Sequence, residues 1–277
     1  MPDTTAIIVT HDSAAVLPAC LRSARAAGIE AIVVDNASKD DSVQLAEAAG
    51  ARVIANAQNQ GFGRAQNQGF AAAETPLALC LNPDVQFAPD AFERLRTALL
   101  GAPNAALAAP TLIEPDGRAF EFGVSPINPS DPSGAPSAVS GAVMLFRRER
   151  FNEIGGFDPN IFLFWDDNDI CRRVKDAGYD ILLVKEAEMA HVRGGSSAPA
   201  PGRIYRSRWH QAWSRFYVFR KYGVASDIEA WVKNFTAKSR WARLVGHKAR
   251  IERYEGSRDG ALAFRRGETA LAHEGLE

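Results

Sequence analysis

Cysteine is scarce in this chain: Cys20, Cys80 and Cys171 stand far apart, with no Cys-x-x-Cys spacing. So few scattered thiols exclude a disulfide framework and a thiolate metal centre, and leave buried packing as their role. Long apolar runs are missing too. None approaches the ~20 residues a membrane-spanning helix needs. The opening "MPDTTAIIVTHDS" has no basic segment leading into an apolar one, which makes the cytoplasm the expected compartment. Two phosphate-binding signatures are also absent: Gly61, Gly63 and Gly69 do not fit Gly-x-Gly-x-x-Gly, and no P-loop lysine follows them. The chain has no internal repeat.

What is present is the composition of a globular protein, 277 residues with 46% hydrophobic and 23% charged. The net charge of −1 conceals two unlike parts. Residues 1–202 carry 16 Lys+Arg against 25 Asp+Glu, whereas residues 203–266 carry 16 against 5. The result is an acidic body with a basic appendage suited to something anionic.

"TAIIVT" (5–10), "EAIVVD" (30–35), "ARVIAN" (51–56) and "PLALCLN" (76–82) are short, nearly continuous apolar runs, the pattern of strands buried on both faces. Alanine-rich stretches at 14–28, 40–50 and 61–73 predict helices between them. This alternation predicts an α/β fold whose parallel sheet is wrapped by helices, with a ligand site beyond the carboxyl ends of the strands. Thr10 to Asp12, Asp35-Asn36, Asn56 to Gly61 and Asn82 to Asp84 stand at those ends. Further along come a helix near 89–101, a strand at 105–110 and a hairpin turning at Asp116-Gly117. "SPINPSDPSGAP" (125–136) must be a loop, either a linker or a substrate cover. "AVSGAVMLFRRERFNEIGGFD" then reads as a strand, a short helix and a Gly-Gly stop.

Several strand-end residues could carry chemistry. Asp35 comes too early to cap the following helix, a task open to Ser38, Asp40 or Asp41, and its place suits a hydrogen bond to a base or ribose. In "NQGFGRAQNQGF", Arg64 could face a diphosphate, or the segment could be an ordinary helix start. Asp84 in "LCLNPDVQF" could ligate a divalent metal or simply form a turn. His191 could join it as a neutral imidazole ligand if the two converge in space. The stretch "NIFLFWDDNDICRRV" (160–174) runs from apolar residues into Asp166, Asp167, Asn168 and Asp169. The expectation is that "IFLFW" forms a buried strand, that Asp166 and Asp167 open a helix whose dipole keeps them ionised, and that Asp169 pairs with Arg172 or Arg173.

Taken together and in this order, "IIVTHDS", "IVVDNASKDDS", "NQGFGRAQNQGF", "LNPDV", the stretch from "VSGAVMLF" to "DILLV", and "HVRGGSS" resemble family 2 glycosyltransferases over about residues 5–197. Asn-Pro-Asp and His-x-x-Gly-x-Ser are most similar to the rhamnosyltransferase-like branch. The resemblance implies a GT-A type nucleotide-diphosphate-sugar-binding fold with a mainly parallel central sheet flanked by helices. Its catalytic domain would span residues 1–202, with a donor-binding part at 1–110 and an acceptor-side part at 111–202. It further implies an inverting enzyme of cell-surface polysaccharide or glycolipid assembly that uses Mg²⁺ or Mn²⁺. The donor would be dTDP-rhamnose ahead of a UDP- or GDP-sugar, and the acceptor a glycan or lipid-linked hydroxyl.

By position, the resemblance places Thr10, Asp12, Asp35 and Asn36 at the nucleobase and ribose, with Gly61, Arg64 and Asn67 near the nucleotide. Asn82 and Asp84 occupy the first and last positions of the family's Asp-x-Asp, and His191 matches its downstream metal ligand. Asp167 would be the general base, with Trp165 and Asp166 toward the acceptor. Asn82 in place of an acid is a departure, and so is Asp12 where asparagine is frequent. The missing acid keeps a non-catalytic nucleotide-sugar-binding module as the rival reading. A sugar-phosphate nucleotidyltransferase is a weaker one, because "THDSAAVLP" stands where such enzymes carry a glycine-rich loop.

Residues 203–277 read as a basic, aromatic helical extension with a flexible end. Arg206, Arg208, Arg215, Arg220 and Lys221 interleave with Trp209, Trp213, Phe216, Tyr217 and Phe219. Two readings stay open: an interfacial helix within 203–254 that meets an anionic membrane at the inner face of the cytoplasmic membrane, or a helix packing its aromatics on the body. No nucleic-acid motif is present, and a homodimer is compatible with the sequence.

Overall fold

The computed structural model describes residues 3–120, 122, 126–129, 136–192 and 200–276. Strands β1 (Thr4–Thr10), β2 (Glu30–Asp35), β3 (Arg52–Ala55) and β4 (Leu77–Leu81) run parallel, connected through α1 (Leu17–Ala26), α2 (Ser42–Ala48) and α3 (Phe62–Ala72). After β4 come β5 (Val85–Gln86), α4 (Pro89–Gly101), β6 (Ala105–Ile113), β7 (Val143–Arg147), α5 (Arg148–Glu153), α6 (Asp166–Asp176) and β8 (Asp180–His191). Among the described residues the sheet has the order β3-β2-β1-β4-β7-β6-β8-β5. β7 is antiparallel to β4 and β6, β6 and β8 are parallel, and β5 is antiparallel to β8.

The apolar runs are continuous because the sheet is covered on both sides. Ala6, Ile8, Val33, Leu77, Leu79 and Leu81 enter one core, while Ile7, Ile32, Val34, Ala78 and Cys80 enter the other. All three cysteines are buried thiols. The Asp116-Gly117 turn forms as expected: Gly117 adopts φ +81° and an antiparallel bridge joins Ile113 to Ala119. Most of the proline-rich segment and residues 193–197 of "HVRGGSS" lie outside the described residues.

Two expectations are corrected. "IFLFW" is not a strand. Both edges of β7 are already taken by β4 and β6, and the run turns outward, with Ile161 packed beside Val218 and Phe219 and Phe162 among Trp209, Trp213 and Phe264. Phe164 and Trp165 then sit at φ +67° and +68°, which no β-ladder accommodates. The second correction concerns the chain end. Helices α7 (Arg203–Lys221), α8 (Ile228–Leu244), α9 (Lys248–Arg266) and α10 (Ala270–His273) pack together where a flexible end is expected.

Close approach of α7 and α9 depends on two glycines. A Cβ on Gly256 would lie 2.3 Å from the Tyr205 carbonyl oxygen, and one on Gly260 would lie 2.1 Å from that of Trp209. The α7 aromatics Trp209, Trp213, Phe216 and Phe219 are consequently buried, which favours the packing reading for that helix. At the chain end, Glu274 bonds His210 Nε2 at 2.6 Å and also Arg206. These two bonds overcome the opposing effect of burial and hold the Glu274 carboxyl down at about 2. Among the described residues no helix is long and apolar enough to cross a membrane.

Candidate active site

The carboxyl ends of β1 and β2 carry one connected polar network. Thr10 Oγ1 donates to Asp35 Oδ1 at 2.9 Å, and the Ser38 amide donates to Asp35 Oδ2 at 2.9 Å. Ser38 Oγ in turn accepts from the amide of Asp12, whose Oδ1 accepts from the Lys39 amide at 2.7 Å. Asp12 holds φ +53°, a conformation that short acidic side chains tolerate. Asn36 links the network to the third strand: its Oδ1 accepts from Asn56 and from the Gln60 amide, and its Nδ2 donates to the Gly61 carbonyl. Asp40 rather than Ser38 or Asp41 satisfies the start of α2, accepting from the Ser42 amide and hydroxyl.

Gly61, Arg64 and Asn67, expected near the nucleotide, all contact the segment between Phe157 and Phe162. A Cβ on Gly61 would lie 2.5 Å from the Phe162 carbonyl oxygen, and the Phe62 amide donates to that same oxygen. Arg64 Nε donates to the Pro159 carbonyl at 2.8 Å, and Asn67 exchanges two 2.9 Å bonds with the Phe157 backbone. All three clamp the segment that leads into α6.

Asp84 and His191 do converge. β5 is antiparallel to β8 with Val85 opposite His191, and the Val192 amide donates to the Asp84 carbonyl. His191 Nε2 consequently lies 3.5 Å from Asp84 Oδ1, and Asp84 is only 1% exposed. A carboxylate and an imidazole nitrogen facing each other at that separation fit two positions around a divalent cation. Among the described residues no third His, Cys, Asp or Glu joins them. Asn82 sits two residues before, half-buried, with its amide bonded to the Ala142 carbonyl.

That bond ties the Asp84 turn to the second carboxylate site. Gly141, next to Ala142, points its amide at Asp167 Oδ2 at 3.5 Å, and a Cβ there would press on Asp167 Cβ at 3.3 Å. Gly141 therefore lets the helix bearing Asp166 and Asp167 approach the end of β4. It escaped sequence reasoning, and the Ser-Gly-Ala ahead of the β7 run is the signal that marks it. Asp167 Oδ1 accepts from the Asn168 amide at 2.8 Å.

Asp166 and Asp167 do open α6, yet its dipole does not decide their charge. Burial and then the neighbouring Asp167 push the Asp166 carboxyl up to about 8, and burial raises Asp167 as well against its bonds from Asn168 and Gly141. Asp167 is the member better supplied with donors to its ionised form, through the Asn168 and Gly141 amides. Asp169 plays the expected structural part with Arg173 at 2.8 Å, and also binds Lys221 Nζ at 2.6 Å and Tyr222. The two left-handed aromatic residues before the pair are held from both sides. Ser214 Oγ bonds the Leu163 carbonyl, the Asp169 amide bonds the Trp165 carbonyl, and the Trp165 ring meets Phe219 edge-on. Strained backbone of this kind persists only where packing over-determines it, and it gathers at functional sites.

The "Glycosyl transferase family 2" model matches residues 5–155, more than half of the chain. The chain belongs to glycosyl transferase family 2. A second model, "N-terminal domain of galactosyltransferase", matches residues 125–193 of this transferase. It is 27% identical over 213 residues to the N-acetylglucosaminyl-diphospho-decaprenol L-rhamnosyltransferase of Mycobacterium tuberculosis, covering 62% of this chain and 69% of that one. Solved GT-A glycosyltransferases share the fold at low identity. The mannosyltransferase PcManGT from Pyrobaculum calidifontis, in complex with GDP-Man and Mn²⁺, matches with TM-score 0.58 and 16% identity over 98% of this chain and 75% of that one. S. aureus TarS 1-349 in complex with UDP matches with TM-score 0.55 and 16% identity over 96% and 92%.

Proposed function

We propose that this glycosyltransferase moves L-rhamnose from dTDP-rhamnose to a hydroxyl of a lipid-linked glycan, with inversion at the anomeric carbon and with a divalent cation. The observation that carries this reading is the chain of contacts from Asp84 through Asn82, Ala142 and Gly141 to Asp167, which joins a candidate cation site to the Asp166–Asp167 carboxylate pair. The mycobacterial relative, named for transfer of L-rhamnose to a diphospho-decaprenol acceptor, supports the choice of sugar and acceptor.

In this reading Asp167 accepts the proton of the acceptor hydroxyl as its oxygen bonds to the anomeric carbon. The bond from that carbon to the donor diphosphate breaks on the opposite face, and the nucleoside diphosphate leaves with the bonding electrons. Asp84 and His191 would hold Mg²⁺ or Mn²⁺, which supplies positive charge to the departing diphosphate. Asp166, whose carboxyl burial pushes toward the protonated form, donates toward the acceptor beside Trp165. Thr10, Asp12, Asp35 and Asn36 shape the nucleoside pocket, while Gly61, Arg64 and Asn67 position the segment before α6.

Peripheral membrane contact is assigned to the end of α8 rather than to α7. Trp241 is 49%, Leu244 86% and Val245 53% exposed, and Lys238, Arg240, Lys248 and Arg250 flank them in sequence. An apolar tip among cations matches an anionic lipid surface.

The deciding experiment incubates the protein with dTDP-rhamnose, UDP- and GDP-sugars, a short-prenyl diphosphate glycoside and Mn²⁺ or EDTA, and reads the product anomer by NMR. The expected result is metal-dependent transfer from dTDP-rhamnose with inversion. Donor binding without transfer or hydrolysis would establish the non-catalytic module instead, and retention would remove Asp167 from its role.

A further inference from the structure

A cavity of about 350 Å³, whose lining includes neither Asp84 nor His191, lies where α7, α8 and α9 meet Trp165. Its walls carry Arg208, Arg215 and Arg253 together with Trp165, Trp231 and Tyr254, and among the described residues no carboxylate lines it. Five other arginines of the helical extension are paired with acids: Arg206 bonds Glu274, Arg243 bonds Glu255, Arg258 bonds Asp259, Arg265 bonds Glu229 and Arg266 bonds Glu268. The cavity arginines are not. Arg208 Nη1 reaches only Gln211, at 2.5 Å, and the Arg215 guanidinium lies 4.9 Å and 4.7 Å from the Phe219 and Trp231 ring centres with its buried Nε lacking a hydrogen-bond partner. Burial, and then the charge of Arg253, pull Arg208 below the ordinary guanidinium range, and burial does the same to Arg215. Gathering three guanidinium groups without a counter-charge is unfavourable unless an anion completes the set.

We infer that this cavity is a binding site for the diphosphate of the acceptor. Guanidinium groups match phosphate oxygens in pairs, and three of them suit a diphosphate better than a singly charged phosphodiester. The donor's diphosphate has its own place at Asp84 and His191, whereas Trp165 is shared between this cavity and the start of α6. An anion held here therefore lies on the acceptor side of Asp167. α8 runs from the cavity wall at Phe235 to the exposed tip at Val245, about 15 Å along the helix, a path along which a lipid tail could reach the bilayer. The assignment to the acceptor rests on the transferase reading above; the anion site itself does not.

The test titrates EDTA-treated full-length protein with inorganic pyrophosphate by calorimetry, comparing the wild type with Arg208→Gln/Arg253→Gln. Arg215 is kept because it packs between aromatic rings. The expected result is pyrophosphate binding that weakens about tenfold or more in the variant, the loss that charge-assisted hydrogen bonds imply. Absence of binding to the wild type, or equal binding to both, overturns the site. If the double variant misfolds, Arg253→Gln alone, at an exposed position, gives the same comparison. A second arm separates the acceptor from free pyrophosphate. The KM for a short-prenyl diphosphate glycoside should rise in the variant while the donor KM and the rate with a phosphate-free glycoside stay unchanged. A rise confined to the donor KM overturns the acceptor assignment. If no sugar is transferred at all, the transferase reading fails and the pyrophosphate titration still decides the site.

Discussion

His191 Nε2 and Asp84 Oδ1 face each other across 3.5 Å because a two-residue strand, β5, hooks onto the far end of β8. Donor affinity should report this pair. Asp84→Ala should weaken donor binding about tenfold or more in Mn²⁺, since it removes the anionic ligand, with His191→Ala having a smaller effect. Both variants should match the wild type in EDTA. Calorimetry of donor binding with and without metal checks this, and an unchanged affinity in Mn²⁺ would count against the assignment.

Asp166 should give the protein a pH-dependent stability. Burial and then the neighbouring Asp167 push its carboxyl up to about 8, above the ordinary carboxylate range, so between the two values the folded chain should hold a proton that the unfolded chain has released. Stability should fall as pH rises through that window and should stop falling above it. Asp166→Asn removes the titrating group, so melting curves from pH 5 to 9 should lose that slope in the variant. Equal slopes in the two proteins would show that Asp166 is not held protonated.

Lys221 pins α7 to the segment around Asp158 and to α6. Its ammonium lies 2.7 Å from Asp158 and 2.6 Å from fully buried Asp169. Lys221→Met would leave both acids with fewer donors and should cost about 2–3 kcal/mol, less than a fully severed buried pair because Arg173 and Tyr222 remain on Asp169. A fall in Tm of roughly 5–10 °C follows for a chain of this size. A fall of less than about 1 °C would mean that the clamp contributes little.

The exposed tip of α8 should govern membrane contact. Flotation with vesicles containing phosphatidylglycerol should recover the wild type, and Trp241→Ala/Leu244→Ser should remain at the bottom of the gradient, as loss of buried apolar area predicts. Equal flotation of the two proteins would locate the contact elsewhere.

Legibility followed periodicity and position. The runs at Ile7–Ile8, Val33–Val34 and Leu79–Leu81 announced strands because a sheet buried on both faces needs unbroken apolar stretches. Asp84 and His191 were legible as ligand types, but only the β5–β8 pairing could bring them together. "IFLFW" misled because an apolar run records burial and not conformation; its partners, Trp209, Trp213 and Phe219, lie far along the chain. The upward push on the Asp166 carboxyl was not legible for a related reason. A helix dipole can be read from local sequence, whereas the burial that outweighs it comes from tertiary packing. The arginine cavity was visible only as a basic, aromatic composition until α7, α8 and α9 closed around it.

Transfer rate and donor affinity measured together on Asp167→Asn decide whether Asp167 takes the proton of the acceptor. The variant should lose about 10²–10⁴ in kcat, the usual contribution of a positioned general base, with donor Kd within about twofold of the wild type. Retained turnover in a variant that binds donor normally would show that Asp167 is not the base.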